Sequence, residues 1–263
     1  MISEKVELLG KGLYKNIPDE LTIHAMSTST QLNYVGAEDF DGNMLDNILP
    51  SIIEEDINPR DLLEIDYQWI CRCARFITFG PYFTTHTVYC SECGQVHNET
   101  RVDLRTIACK SLPEGFVNDI VLAKGDLIDY DGEIHLHLLT IQERINAHKD
   151  KLFTTPSGKI NQEYARLCYM IHSIGKDKDS TPMAIKAFIE KHLSYPDYLT
   201  LVDKAMELTD YGLRAGGVCT CPRCGDEDAA YIALVDDRFF RPTVGDLKSG
   251  RDLRSARPAE KSA

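Results

Sequence analysis

Apolar residues recur along this chain with periods that alternate between strand and helix. After Pro18, the run ELTIHAMST over residues 20–28 alternates enough to predict a strand. Residues 41–57 read as a helix interrupted near Pro50. Asn58-Pro59 is a good helix start, with Asn as N-cap and Pro at the first helical position. Beyond it Leu62, Leu63, Ile65, Trp69, Ile70, Cys73 and Phe76 recur at three- and four-residue spacing, which predicts an amphipathic helix over 61–79. Gly80-Pro81 stops it, and the aromatic and β-branched YFTTHTVYC predicts a strand running into Cys90-Ser-Glu-Cys93-Gly94.

The second half repeats the plan. Asp131-Gly132 is a turn signal, and EIHLHLLTIQERI (133–145) resembles ELTIHAMSTSTQL (20–32) when Glu133 is set on Glu20. Helices are expected over 161–174, over 181–193 with Pro182 at its start, and over 198–208. Tyr211-Gly212 then precedes Cys221 by about the distance at which Phe79-Gly80 precedes Cys90. Each half therefore reads as strand, helices, aromatic-Gly, a short extended segment and C-x-x-C-G. This predicts an α+β fold of two similar strand-plus-helix lobes joined through a split, zinc-ribbon-like site. The expected divisions are 1–110 for the first lobe and knuckle, 111–237 for a helical insertion with the second lobe and knuckle, and 238–263 for a basic extended tail.

The chemistry of that site comes from its thiols. Two sulfurs on one tight turn grip half of a metal ion, Gly after the second Cys lets the backbone curl around it, and a hairpin-like segment follows each knuckle. Cys90, Cys93, Cys221 and Cys224 together make a four-sulfur set for structural zinc. The 127 residues between Cys93 and Cys221 are no obstacle, because closing a long loop costs little more than closing a short one. Cys219 in the run C-T-C-P-R-C competes with Cys221, although C-x-x-C spacing favours Cys221; His86 and His97 flank the first knuckle as substitutes. Cys71 and Cys73 lie about 200° apart on a helix and cannot chelate together. Cys73, Cys109 and Cys168 read as small buried residues. His135 and His137 share one strand face, more simply a half-exposed face than a metal pair.

Enzymatic readings fare worse. His97-Asn98-Glu99 with Cys221-Pro222-Arg223-Cys224 is similar to the zinc deaminase pattern H-x-E…P-C-x-x-C, but the proline follows the first cysteine and Cys90 and Cys93 would have no role. A closed four-sulfur site has no position for water. There is no Gly-rich phosphate loop, G-x-S-x-G or H-E-x-x-H.

Composition narrows the partners. The 263 residues are 43% hydrophobic and 27% charged, with a net charge of −12, which argues against a nucleic-acid binder. No apolar run approaches the ~20 residues of a membrane span, and MISEKVELLGKGLY is not a secretory signal. Nine cysteines without an export signal suggest a reducing compartment. Residues 238–263 reverse the charge, with seven Lys/Arg against three Asp/Glu, and read either as a disordered end or as an arm, mobile after about Arg241, that orders on an acidic neighbour with Phe239 and Phe240 as anchors at its root.

In order, GKGLYKNIP, the acidic helix, DYQWICRCARFITFG, C-x-x-C-G, VDLRTI, LPEGF and LHLLT resemble the baseplate and baseplate-hub assembly proteins of T-even-like contractile-tailed bacteriophages, over residues 8–235. The resemblance implies a non-enzymatic virion or assembly component, made in the host cytoplasm and placed in the tail baseplate with other hub proteins in a multi-subunit complex. It transfers no catalytic residue. The alternative is a host zinc-ribbon adaptor that docks on another protein.

Overall fold

The computed structural model describes residues 2–34, 40–175, 177–178, 180–214, 217–230 and 240. The chain opens with an antiparallel pair, β1 (Ser3–Glu7) and β2 (Glu20–His24), in which Val6 faces Leu21. Helix α1 (Thr28–Tyr34) follows. The expected break near Pro50 is instead one continuous helical path: α2 (Phe40–Asn43), a π turn over Met44–Ile48, then α3 (Leu49–Ile52) with Pro50 in its first turn. The wider π turn accommodates the proline, which lacks a donor. The path stops at Ile52 rather than residue 57.

Asn58-Pro59 starts only a 3-10 turn, Pro59–Asp61, with the Asn58 side chain accepting from Arg60 N–H. Leu62 and Leu63 stay extended, and α4 begins at Glu64 and runs to Phe79. Gly80, at φ 93°, ends it with its N–H donating to Phe76 O. The buried side of α4 carries Tyr67, Ile70, Cys71, Ala74 and Ile77, while Trp69 and Phe76 of the expected stripe are only partly covered.

The strands β3 (Tyr82–Tyr89) and β4 (Val96–Asp103) form an antiparallel hairpin, followed by the short β5 (Cys109–Lys110). A four-stranded antiparallel sheet comes next, in the order β6 (Ile120–Leu122), β7 (Ile134–Leu136), β8 (Ile171–Ile174), β9 (Asp177–Lys178). Between β7 and β8 lie α5 (Ile141–Lys149) and α6 (Gln162–Met170). The strand expected at the start of 133–145 therefore gives way to a helix at Thr140, whose capping box with Glu143 fixes the start. The helix expected over 161–174 ends at Met170, because residues 171–174 pair with β7 instead. Helices α7 (Pro182–His192) and α8 (Tyr195–Thr209) start at the side-chain caps Thr181 and Ser194. Then β10 (Gly212–Leu213) pairs with β5, and β11 (Gly217–Thr220) forms a hairpin with β12 (Glu227–Ala230).

Buried apolar side chains fall into two clusters. One holds Val6 to Ile107 together with Ile141, Ile145, Leu213 and Phe240; the other holds Leu122 to Leu208 together with Leu63 and Ile65. The clusters thus trade elements. The start of α4 packs on the second cluster and Ile141 and Ile145 of α5 on the first, with Glu64 N–H donating to Leu139 O and Ile141 N–H to Leu62 O at the crossing. Arg166 adds a two-pronged contact to Glu64 at 2.6 and 3.2 Å. Gly212 sits where a Cβ would lie 3.0 Å from the Ile65 side chain, so β10 closes over α4 only without one. Of the expected basic arm, Phe240 is buried in the first cluster; the rest of 238–263 lies outside the described residues. Among the described residues no helix is long and apolar enough to cross a membrane.

Candidate metal centre

Each C-x-x-C-G sits at the turn of a hairpin, and the two turns share one local geometry. In the first, Cys90 N–H donates to Gln95 O and Gly94 N–H donates to Cys90 O, at 2.9 and 3.0 Å. In the second, Cys221 N–H donates to Asp226 O and Gly225 N–H to Cys221 O, at 2.7 and 2.8 Å. Gly94 and Gly225 have φ of 68° and 77°, the left-handed region in which a side chain is strained. Each turn therefore directs both sulfurs the same way.

The hairpins bring the two turns together. Cys90 Sγ lies 3.6 Å from Cys224 Sγ, and Cys93 Sγ lies 3.7 Å from Cys221 Sγ. All four sulfurs fall within 4.8 Å of one another. A disulfide would put sulfurs ~2.05 Å apart, whereas four sulfurs ~2.3 Å from a central ion stand ~3.8 Å apart along each edge. The two shortest spacings fit thiolates around a metal and exclude disulfides. Cys90 and Cys221 are buried, Cys93 is half-buried and Cys224 is exposed, so the ion would be reached from the Cys224 side. Arg223 reaches across from one turn to the other, donating to Gln95 Oε1 at 3.1 Å.

The remaining thiols among the described residues are elsewhere. Burial pushes the Cys168 thiol up to about 12, Cys73 up to about 11, and Cys71 higher still, so these stay protonated within the two cores. Cys109 lies half-buried in β5, its thiol also raised by burial. The proposed substitutes His86, His97 and Cys219 lie on β3, β4 and β11, but their side chains are outside the described residues, as are those of Asn98 and Glu99. The four cysteines singled out by spacing come together without them and could hold a metal ion.

Two buried carboxylates support the helices that lead to these turns. Asp66, third residue of α4, accepts from Leu9 N–H at 2.6 Å, Gly10 N–H at 3.1 Å and the Tyr14 hydroxyl. Asp197, third residue of α8, accepts from Ile128 N–H at 2.5 Å and Asp129 N–H at 3.0 Å. Burial raises the Asp66 carboxyl above its usual range; at Asp197 burial acts the same way but the backbone donors outweigh it, and the carboxyl is lowered. Neither was singled out by sequence reasoning. The signal is a constant offset of 131 residues: Asp66 and Asp197, Tyr67 and Tyr198, Ala74 and Ala205, Thr78 and Thr209, then Cys90 and Cys221, Cys93 and Cys224, Gly94 and Gly225 align without a gap. Comparison with known protein families, curated proteins and solved structures returns no match.

Proposed function

We propose that the protein is a non-enzymatic structural component of a contractile phage tail baseplate or hub, in which one zinc ion clamps two related strand-plus-helix lobes. The observation that carries the reading is the closed set of four cysteine sulfurs drawn from hairpins far apart in the chain. An all-thiolate tetrahedron selects zinc or iron over harder ions, and zinc brings no redox chemistry. With every position taken by sulfur, the ion fastens and does not react.

Lobe kinship is supported by the 131-residue offset, by the matching hydrogen bonds of the two turns and by the two helix-borne carboxylates that catch the backbone of a preceding loop. In each half a strand is followed by a helix in the register set by Glu20 and Glu133: β2 by α1, β7 by α5. The tail assignment rests on the motifs GKGLYKNIP, DYQWICRCARFITFG, VDLRTI and LHLLT. A metal-clamped body with an acidic total charge and a basic terminal segment suits a part that locks into neighbouring subunits. Mass spectrometry of purified baseplates and hub intermediates is expected to find the chain at a fixed integral ratio to other tail subunits. Absence from both would overturn the tail assignment while leaving the metal clamp standing.

A further inference from the structure

A second set of metal-ligating side chains stands on the outer face of the four-stranded sheet, well apart in sequence from the cysteines. Asp119 precedes β6, His135 lies on β7 and His172 on β8. His135 Nδ1 is 2.8 Å and His172 Nε2 is 3.1 Å from the same Asp119 oxygen, and the three ligand atoms lie within 4.8 Å of one another. Strand register explains the convergence. Leu136 pairs with Ile171 but His135 pairs with Ser173, so His172 is the extra residue of a β-bulge. Bulges re-aim side chains. Here Ile171 and Ser173 stay buried while His172 emerges on the side of His135, the two rings 5.6 Å apart.

The surroundings add features of a metal site to the hydrogen bonds from the two imidazoles to Asp119. The other ring nitrogen of His135 faces Glu133 Oε2 at 3.7 Å, the outer carboxylate that orients metal-bound histidines. His137, whose ring lies 5.4 Å from that of His172, turns its Nε2 to Glu143 at 3.3 Å and lies outside the set of three converging ligand atoms. Asp119 is 43% exposed and His172 36%, so water has access. Ligand atoms ~2.0–2.2 Å from a shared ion stand ~3.0–3.6 Å apart, within small side-chain adjustments of the distances seen.

We propose that Asp119, His135 and His172 form a second, labile site for a divalent first-row transition ion, with Glu133 as the positioning residue and water in the open positions. Two imidazoles and one carboxylate favour zinc, cobalt or nickel over calcium and magnesium.

The test uses the full, untagged chain with its cysteine-bound metal retained, titrated with Co²⁺ and Zn²⁺ by calorimetry and absorbance. One further equivalent is expected, removable by mild chelation, and its cobalt spectrum should lack thiolate charge-transfer bands. His135→Gln, His172→Gln and Asp119→Asn should each weaken it about 100-fold, and Glu133→Gln about 10-fold in line with outer-shell partners; His137→Gln should not. Asp119 is exposed, so its variant tests the site even if a histidine variant fails to fold. Absence of a second equivalent, or its persistence at full affinity in the folded Asp119→Asn and His172→Gln proteins, would overturn the proposal.

Discussion

Removing the metal from the cysteine centre should cost stability by an amount that the chain topology sets. An ion held by the four sulfurs would link Cys93 to Cys221 across 127 residues. On the chain-entropy relation for a cross-link, closing a loop of that length contributes about 5 kcal/mol at 25 °C. A chain of 263 residues unfolding with roughly 2.1 cal/mol/K per residue has a melting entropy of about 0.55 kcal/mol/K, so the loss corresponds to about 9 °C in Tm. The assay is scanning calorimetry of metal-bound and chelated protein, each checked by elemental analysis. Stepwise modification of thiols with release followed by a chromogenic chelator gives the order of attack. One cysteine-bound ion per chain is expected after mild chelation has stripped any labile metal, and Cys224 should react first because it is exposed while Cys90 and Cys221 are buried. Cys224→Ser, at an exposed position, should reproduce the chelated Tm, and Cys90→Ser, which adds a buried hydroxyl, should melt at or below it. A folded protein that carries no metal after purification, or a chelated one melting within ~2 °C of the metal-bound form, would refute the reasoning.

Other expectations follow from individual contacts. Cys168→Ser should leave metal content unchanged while costing about 1–3 kcal/mol, since it puts a hydroxyl into a core; chemical denaturation and metal analysis of one sample check both. Asp197→Ala strands the Ile128 and Asp129 N–H groups and should cost about 2–4 kcal/mol by urea denaturation. Asp66→Asn should cost less than Asp197→Asn, because burial already disfavours the charge at Asp66 whereas the backbone donors favour it at Asp197. Glu143 is held below the usual glutamate range: burial opposes ionisation, but the His137 contact and the Thr140 N–H outweigh it. Its stabilising contribution is therefore complete above about pH 4.3 and lost as the pH falls through its folded value, so Glu143→Gln should flatten the acid limb of urea midpoint against pH.

Features encoded over a few residues were legible in the sequence. The C-x-x-C-G turns need only a knuckle and a glycine, and the start of α7 follows from Pro182 behind its Thr181 cap, whereas α8 begins at Tyr195 behind Ser194, ahead of the expected 198. Features decided across the chain were not. Residues 171–174 continue the apolar spacing of α6 and become a strand only because β7 offers an unpaired edge. Asn58-Pro59 has the composition of a helix start, yet Leu63 is drawn into a bridge with Thr140 and postpones α4. Pro50 looks like a breaker but follows directly on a π turn, whose wider path tolerates the missing donor. Asp66 and Asp197 resemble ordinary surface acids, since their partners are backbone groups 57 and 69 residues away.

The exchange of elements between the two cores also sets a timetable for biosynthesis. Residues of the first cluster extend to Leu213 and Phe240, and the fourth sulfur arrives only with Cys224. A ribosome adding ~5–20 residues per second needs roughly 7–26 s to travel the 131 residues from Cys93 to Cys224. Through that interval the first pair of thiols emerges without its partners, next to an apolar cluster that still lacks its last members. The nascent N-terminal half is thus the vulnerable stage, open to oxidation and to mispairing with a neighbouring chain. Slow codons before Cys221 would lengthen the exposure, and a metal ion bound by the four sulfurs would end it only after the second turn has left the exit tunnel.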